Sequence, residues 1–196
     1  MNRFLLPLLA MAFASPVAAQ SSLPSSEGGW AGGHLGIQLG MPISSSLTFD
    51  SAPGIESELD GMSGGVQIGF RRQTNAFVYG GEAAFLVSEP VIEQMGAPDV
   101  DVRVTTTRLG AQAGYDLGRF LPYGTLGVAR MTFQDTVGFG DTSSFGTFAG
   151  LGVEYQLGES TSVGLQAVRE NFENFNEGAD INVTQTNVSV QFNIRY

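Results

Sequence analysis

One histidine, nine basic residues that are all arginine, and no cysteine limit the side-chain chemistry open to this sequence. Acyl transfer by a serine needs a base, and His34 is the one imidazole present. The run Gly61-Met62-Ser63-Gly64-Gly65 matches the G-x-S-x-G pattern of a nucleophilic serine. That pattern works on a strained strand-to-helix turn, and no helical pattern follows it here, so it is a chance match in a glycine-rich chain. His34 shares a polar face with Gln38 and is expected to be an interior hydrogen-bonding group, with catalysis through it as the enzymatic alternative. Absent cysteine excludes disulfides, thiol catalysis, zinc-cysteine sites and a lipid anchor on a mature N-terminal cysteine. Absent lysine excludes a phosphate-binding P-loop, and a net charge of −10 argues against a grip on nucleic acid. Asn182-Val183-Thr184 and Asn187-Val188-Ser189 match glycosylation sequons, but the second falls inside a predicted strand and both are discarded. No cofactor or metal site is expected.

Two groups of charges stand out. Arg71, Glu82, Arg108, Arg130 and Glu154 fall on polar faces of alternating segments, where burial requires pairing and hydrogen bonds. Glu82 with Arg108 is the preferred pair, and the five together are expected to form an interior charge network. The second group is Asp50, Glu56, Glu58, Asp60, Glu89, Glu93, Asp99, Asp101, Asp135, Asp141, Glu173, Glu177 and Asp180, all between those segments. Such carboxylates could hold Ca²⁺ or Mg²⁺, but no EF-hand spacing occurs, and a solvated acidic surface is the plainer expectation.

What positions these charges is a recurring unit of period-two alternation, which is the pattern of a β-strand. Eight such segments are expected, near 29–40, 62–72, 76–88, 102–117, 121–134, 144–157, 161–172 and 183–196. Each is long enough for a tilted strand to cross a bilayer, at ~9–11 residues. In the last, Val188, Val190, Phe192, Ile194 and Tyr196 alternate with Asn187, Ser189, Gln191, Asn193 and Arg195. The sixth does likewise, with Phe148 out of step. In the fifth, Leu126 and Val128 share parity with Arg130, so its facing is ambiguous.

Alternation alone does not say which face is inside, since soluble ligand-binding barrels also alternate. The polar face here is mostly Gly, Gln, Ser and Thr with few charges, which suits a crowded interior better than a water-facing surface. The apolar face is therefore assigned to lipid, with Tyr79, Tyr115, Tyr123, Tyr155 and Tyr196 as an interfacial girdle. Links near 73–75, 118–120 and 158–160 are short, and those near 41–61, 89–101, 135–143 and 173–182 are long. Short periplasmic turns and long external loops alternate in this way in outer-membrane barrels. The expected class is all-β, an eight-stranded antiparallel up-and-down transmembrane β-barrel. Arg3, the apolar run Phe4 to Phe13, and Ser15-Pro16-Val17-Ala18-Ala19 predict a signal peptide over 1–19. A short segment over 20–28 and the barrel over 29–196 follow.

Two motifs resemble one family. The glycine-rich opening Gly29-Trp30-Ala31-Gly32-Gly33-His34-Leu35-Gly36 looks like the first strand, and the alternation ending in Phe192, Ile194 and Tyr196 looks like the C-terminal signal read by the barrel-assembly machinery. Over nearly the whole mature length the chain resembles the small outer-membrane barrels of the OmpA-like type, within the porin family, with no peptidoglycan-binding domain expected after the last strand. The resemblance implies export to the outer membrane of a Gram-negative cell envelope. It implies lipid and lipopolysaccharide as surroundings, and assembly machinery as a partner in biogenesis. It implies fold better than activity. A structural or surface-interaction role is expected, with an extracellular ligand on the acidic loops. The alternatives are a narrow ion or small-solute channel lined by Arg71, Glu82, Arg108 and Glu154, and a lipid A-modifying hydrolase using His34.

Overall fold

A computed structural model of the chain describes residues 29–49, 52–55, 61–88, 91–92, 100–135, 142–172 and 181–196. Alternating sequence becomes strand throughout: β1 (Gly32–Phe49), β2 (Ala52–Ile55), β3 (Ser63–Thr74), β4 (Phe77–Ser88), β5 (Val91–Ile92), β6 (Val100–Tyr115), β7 (Phe120–Asp135), β8 (Thr142–Gln156), β9 (Thr161–Phe172) and β10 (Ile181–Arg195). The main sheet runs β10-β9-β8-β7-β6-β4-β3-β1 through antiparallel neighbours, and β1 pairs β10 to close it. These are the eight expected strands. The short β2 and β5 only extend β1 and β6 at the end of the long connections. The expected signal peptide and the segment over 20–28 lie outside the described residues, as do the loop acids other than Asp101 and Asp135, which fall in β6 and β7.

Strand β1 runs nine residues past the expected boundary, because Met41-Pro42 does not end it. Proline has no N–H to give a ladder, so it suits an irregular position in a strand. The register with β10 slips between Pro42 and Ser44 and then resumes to Phe49↔Ile181.

The tight turns lie at one end of the barrel. Between β3 and β4, Asn75 takes φ 54°, the left-handed conformation that asparagine tolerates in two-residue hairpins. Between β6 and β7, Gly118 takes φ 82° and its N–H donates to Asp116 Oδ1 at 2.7 Å.

Register gives the barrel's stagger. The rungs His34–Gly69–Glu82–Gly110–Gly127–Phe148–Glu170–Gln185 return to β1 at Ser45, eleven residues on, one of them absorbed by the slip at Pro42. Strand number and stagger fix the diameter, and eight strands leave an interior that side chains fill.

The faces are inverted relative to a water-soluble protein. Leu126, Phe145 and Leu151 are 65%, 71% and 73% exposed, while Gln67, Arg71, Glu154 and Glu170 are at most 1% exposed. An apolar surface on every strand needs an apolar solvent, and a closed ladder is the β form that satisfies its backbone there. Phe77 stacks on Tyr79 and Phe120 packs on Tyr155 at the turn end, with Tyr115 and Tyr196 also outward, forming the aromatic girdle of that rim. Tyr123 does not belong to it. Its parity in β7 puts it inside.

Apolar side chains also cap the interior at both ends. Val104, Ala129, Met131, Phe148, Val168, Phe172 and Val183 cluster toward the loop end, and Trp30, Val78 and Leu121 at the turn end. Phe148 is therefore in step with its strand and not an intruder. Trp30 is fully buried, its Nε1 donates to the Gly118 carbonyl at 3.3 Å, and the Arg195 guanidinium sits 4.7 Å from the ring centroid. Trp30→Ala should lower stability by about 3 kcal/mol, seen as a lower urea midpoint for the protein refolded in lipid vesicles. An unchanged midpoint would mean that the turn-end cap does not help hold the barrel.

Candidate functional site

Between the two caps the lumen is polar, because every second residue of each strand points there and those residues are mostly Gly, Gln, Asn, Ser, Thr, Arg and Glu, with His34 and Tyr123 among them. Glycine alternates with long polar side chains for room: Gly152 lies across the rung from Tyr123, where a β-carbon would collide with the ring. The space so made is crossed by side chains from strands that share no ladder.

Arg71 on β3 pairs with Glu154 on β8, across the full width of the ring. The same guanidinium donates from Nε to Gln112 Oε1 at 2.8 Å and lies 5.8 Å from the Tyr123 ring centroid. Ser162 donates to the other oxygen of Glu154 at 2.9 Å. Toward the loop end, Arg108 on β6 donates from Nε to Glu170 Oε1 on β9 at 2.6 Å, and Gln185 and Asn187 donate to Glu170 Oε2. Between these two levels Tyr123, Gln166, Gln191, Gln67 and Asn193 form a hydrogen-bonded layer.

The expected charge network is thus partly as placed and partly corrected. Arg71, Glu82, Arg108 and Glu154 face the lumen. Arg130 does not. It shares outward parity with Leu126 and Val128, stacks over Phe145 at 5.4 Å and donates to Ser143 Oγ at 3.3 Å. The preferred pair is also replaced. Glu82 stands opposite Gly110 while Arg108 stands opposite Ala84, and each takes another partner. Arg108 goes to Glu170. Glu82 Oε2 lies 3.2 Å from His34 Nε2 and accepts from Gln112 Nε2 at 3.1 Å. Glu170 has inward parity on β9, but nothing in the local sequence points from β9 to its partner on β6.

His34 is buried beside Glu82, and Ser63 pairs with Gly40, six residues farther along β1. At ~3.3 Å per residue that is roughly 20 Å from His34, far beyond proton transfer. The chance reading of the G-x-S-x-G match is consistent with that separation. A void bordered by Gln38, Glu82, Arg108 and Phe148 has a volume of about 10 Å³ for the centre of a water, room for one molecule. On the outer face of β10, Phe192, Ile194 and Tyr196 are all exposed.

An apolar wall around a packed polar lumen defines a small transmembrane β-barrel. The family profile of the outer membrane protein beta-barrel domain matches residues 5–193, and the chain belongs to that family, whose place is the outer membrane. Among solved structures, Neisserial surface protein A aligns with TM-score 0.56 at 12% identity, covering 85% of this chain and 98% of that one. Ail, the attachment invasion locus protein of Yersinia pestis, gives 0.49 at 12% identity over 84% and 99%, and OprG from Pseudomonas aeruginosa gives 0.48 at 17% over 85% and 96%. At these identities the likeness is one of fold. No curated protein sequence matches the chain.

Breaking one side of a buried ion pair leaves a charge without compensation, so Glu154→Gln should cost about 3 to 5 kcal/mol. Arg71→Met combined with Glu154→Met should cost less than Glu154→Gln alone. The check is the urea midpoints of these two variants, and a double variant that costs more than Glu154→Gln alone would show that the pair is not coupled.

Proposed function

We propose that this protein is a structural or surface-interaction barrel: a closed anchor that holds its long connections at the cell surface, with no catalytic role. The observation that carries the reading is that two ion pairs, Arg71–Glu154 and Arg108–Glu170, cross the lumen between apolar caps at both ends. Such a lumen serves to hold eight strands together. The working surface is then the set of long connections, which carry Asp50, Glu56, Glu93, Asp141, Glu177 and their acidic neighbours and almost no base. With the short turns periplasmic, these acids face outward, where a cationic ligand or a bridging divalent ion is the matching partner. Phe192, Ile194 and Tyr196, presented on the lipid face of the last strand, suit recognition by the assembly machinery during insertion.

The test is planar-bilayer conductance of the refolded protein with insertion verified, and Glu82→Gln as comparison. A silent bilayer for both is expected. Discrete openings that change with Glu82→Gln would instead make the lumen charges the lining of an ion path. His34→Ala should leave the lipid A composition of the host envelope unchanged, and an altered acylation pattern, by mass spectrometry of extracted lipid, would reinstate an enzyme.

A further inference from the structure

Charge is sorted by direction in this barrel. Every strand carboxylate whose side chain is described, namely Glu82, Glu154 and Glu170, points into the lumen, while four strand arginines, Arg72, Arg103, Arg130 and Arg169, are exposed on the outside, as are Arg119 and Glu159 in the short turns. Arg72 lies beside a short turn. The other three strand arginines lie toward the loop end, and all three fall within the sector β6 to β9.

Register places them at a boundary on the wall. On β7 the outward series runs Leu126, Val128, Arg130, and on β9 it runs Leu165, Ala167, Arg169. On β8, between them, the outward residue Thr147 stands opposite Val128 and Asn171, with Phe145 opposite Arg130 and Ala149 opposite Arg169. On β6 the outward series passes from Leu109 to Thr107, which faces Arg130 across the rung, then to Thr105 and Arg103. Aliphatic wall therefore gives way to arginine and hydroxyl groups along one edge of this sector. Among the described residues, the opposite wall has no such change. Met41 and Ile43 on β1, Met62 beside β3, and Phe85 and Val87 on β4 stay apolar to a comparable depth.

We propose that the β6–β9 sector is a binding surface for a phosphorylated lipid of the leaflet on the loop side. Arg130 and Arg169 take the headgroup phosphates, with Thr107 and Thr147 as neighbouring donors and Arg103 above them. The acyl chains lie on Leu126, Val128, Leu151 and Leu165. Guanidinium suits this task because its planar fork meets phosphate oxygens two at a time and is weakly hydrated. The contacts of Arg130 with the Phe145 ring and the Ser143 hydroxyl orient its side chain without neutralising its charge, since neither partner is a carboxylate. Charge complementarity selects the occupant: in a chain of net charge −10, a patch of positive charge beside an aliphatic face fits an anion with hydrocarbon attached. The inference rests on the outer-membrane orientation given above and is independent of whether the lumen conducts.

The experiment is native mass spectrometry of the refolded chain in detergent micelles, offered equal amounts of bisphosphorylated lipid A and its dephosphorylated form. Wild type should retain the phosphorylated lipid preferentially. Arg130→Gln with Arg169→Gln should lower that preference roughly tenfold, while Arg72→Gln, on the turn side, leaves it unchanged. Heat-modifiable mobility on gels confirms that each variant still closes, which separates loss of the site from loss of the barrel. If the double variant does not close, each single variant is expected to lose part of the preference. Equal retention of both lipids by wild type, or a preference untouched by the arginine changes, overturns the proposal.

Discussion

The ladder between β1 and β10 is the constraint from which the rest follows. In hydrocarbon an unpaired sheet edge would leave a row of N–H and C=O groups without partners, each costing several kcal/mol on the order of a buried unsatisfied polar group. Rungs from His34↔Arg195 to Phe49↔Ile181 remove that edge along the whole of β10. Closure at this strand number and stagger then fixes a narrow lumen, and a narrow lumen has to be filled. The alternation that puts leucine and phenylalanine toward lipid leaves the intervening positions to do the filling, so glycine and long polar side chains are two halves of one packing solution.

Filling a lumen with charges is costly unless each is paired and hydrogen-bonded. The network meets this by reaching across the ring. Arg71 and Glu154 sit on strands with three others between them in either direction, and Arg108 and Glu170 on strands separated by two. Each pair therefore ties strands that have no backbone bond in common. Apolar clusters around Trp30 and around Phe148 and Phe172 flank the two pairs, and apolar surroundings strengthen the electrostatics between them. Polar middle and apolar ends depend on one another: without the caps the ion pairs would be solvated and weak, and without the pairs the charges could not sit between the caps.

The fold was legible because period-two alternation is local, and a strand shows its two faces in its own residues. Eight strands, their order and the inverted faces could all be read from it together with the short and long links. Where the residues inside departed from simple polarity, the reading failed. Tyr123 was assigned to the girdle because tyrosine suits an interface, yet its phenol is bonded to Gln166 inside. Phe148 looked out of step because the lumen was assumed polar throughout, and Arg130 was assigned inward for the same reason. In β7 parity outweighs polarity: Tyr123, Thr125, Ala129 and Met131 face in, so Leu126, Val128 and Arg130 face out. Pairing was illegible for a different reason. Which arginine meets which glutamate depends on the stagger, and stagger is a property of the closed ring that no single strand encodes.

Where a cation meets a ring, inside or outside this barrel, arginine suits the place better than lysine would. Inside, Arg71 engages Glu154, Gln112 and the face of Tyr123 at once, three directions that a planar guanidinium serves and a single ammonium does not. Outside, Arg130 lies over Phe145 at the upper edge of an aliphatic wall, where a lysine would be more strongly hydrated and less able to stack. At the turn end, Arg195 covers Trp30 while donating to the carbonyls of Gly29 and Glu159. In each place the cation must lie against an aromatic ring and still bond laterally. At these three of the eight described arginines, stacking as well as charge gives a structural reason for arginine in place of lysine.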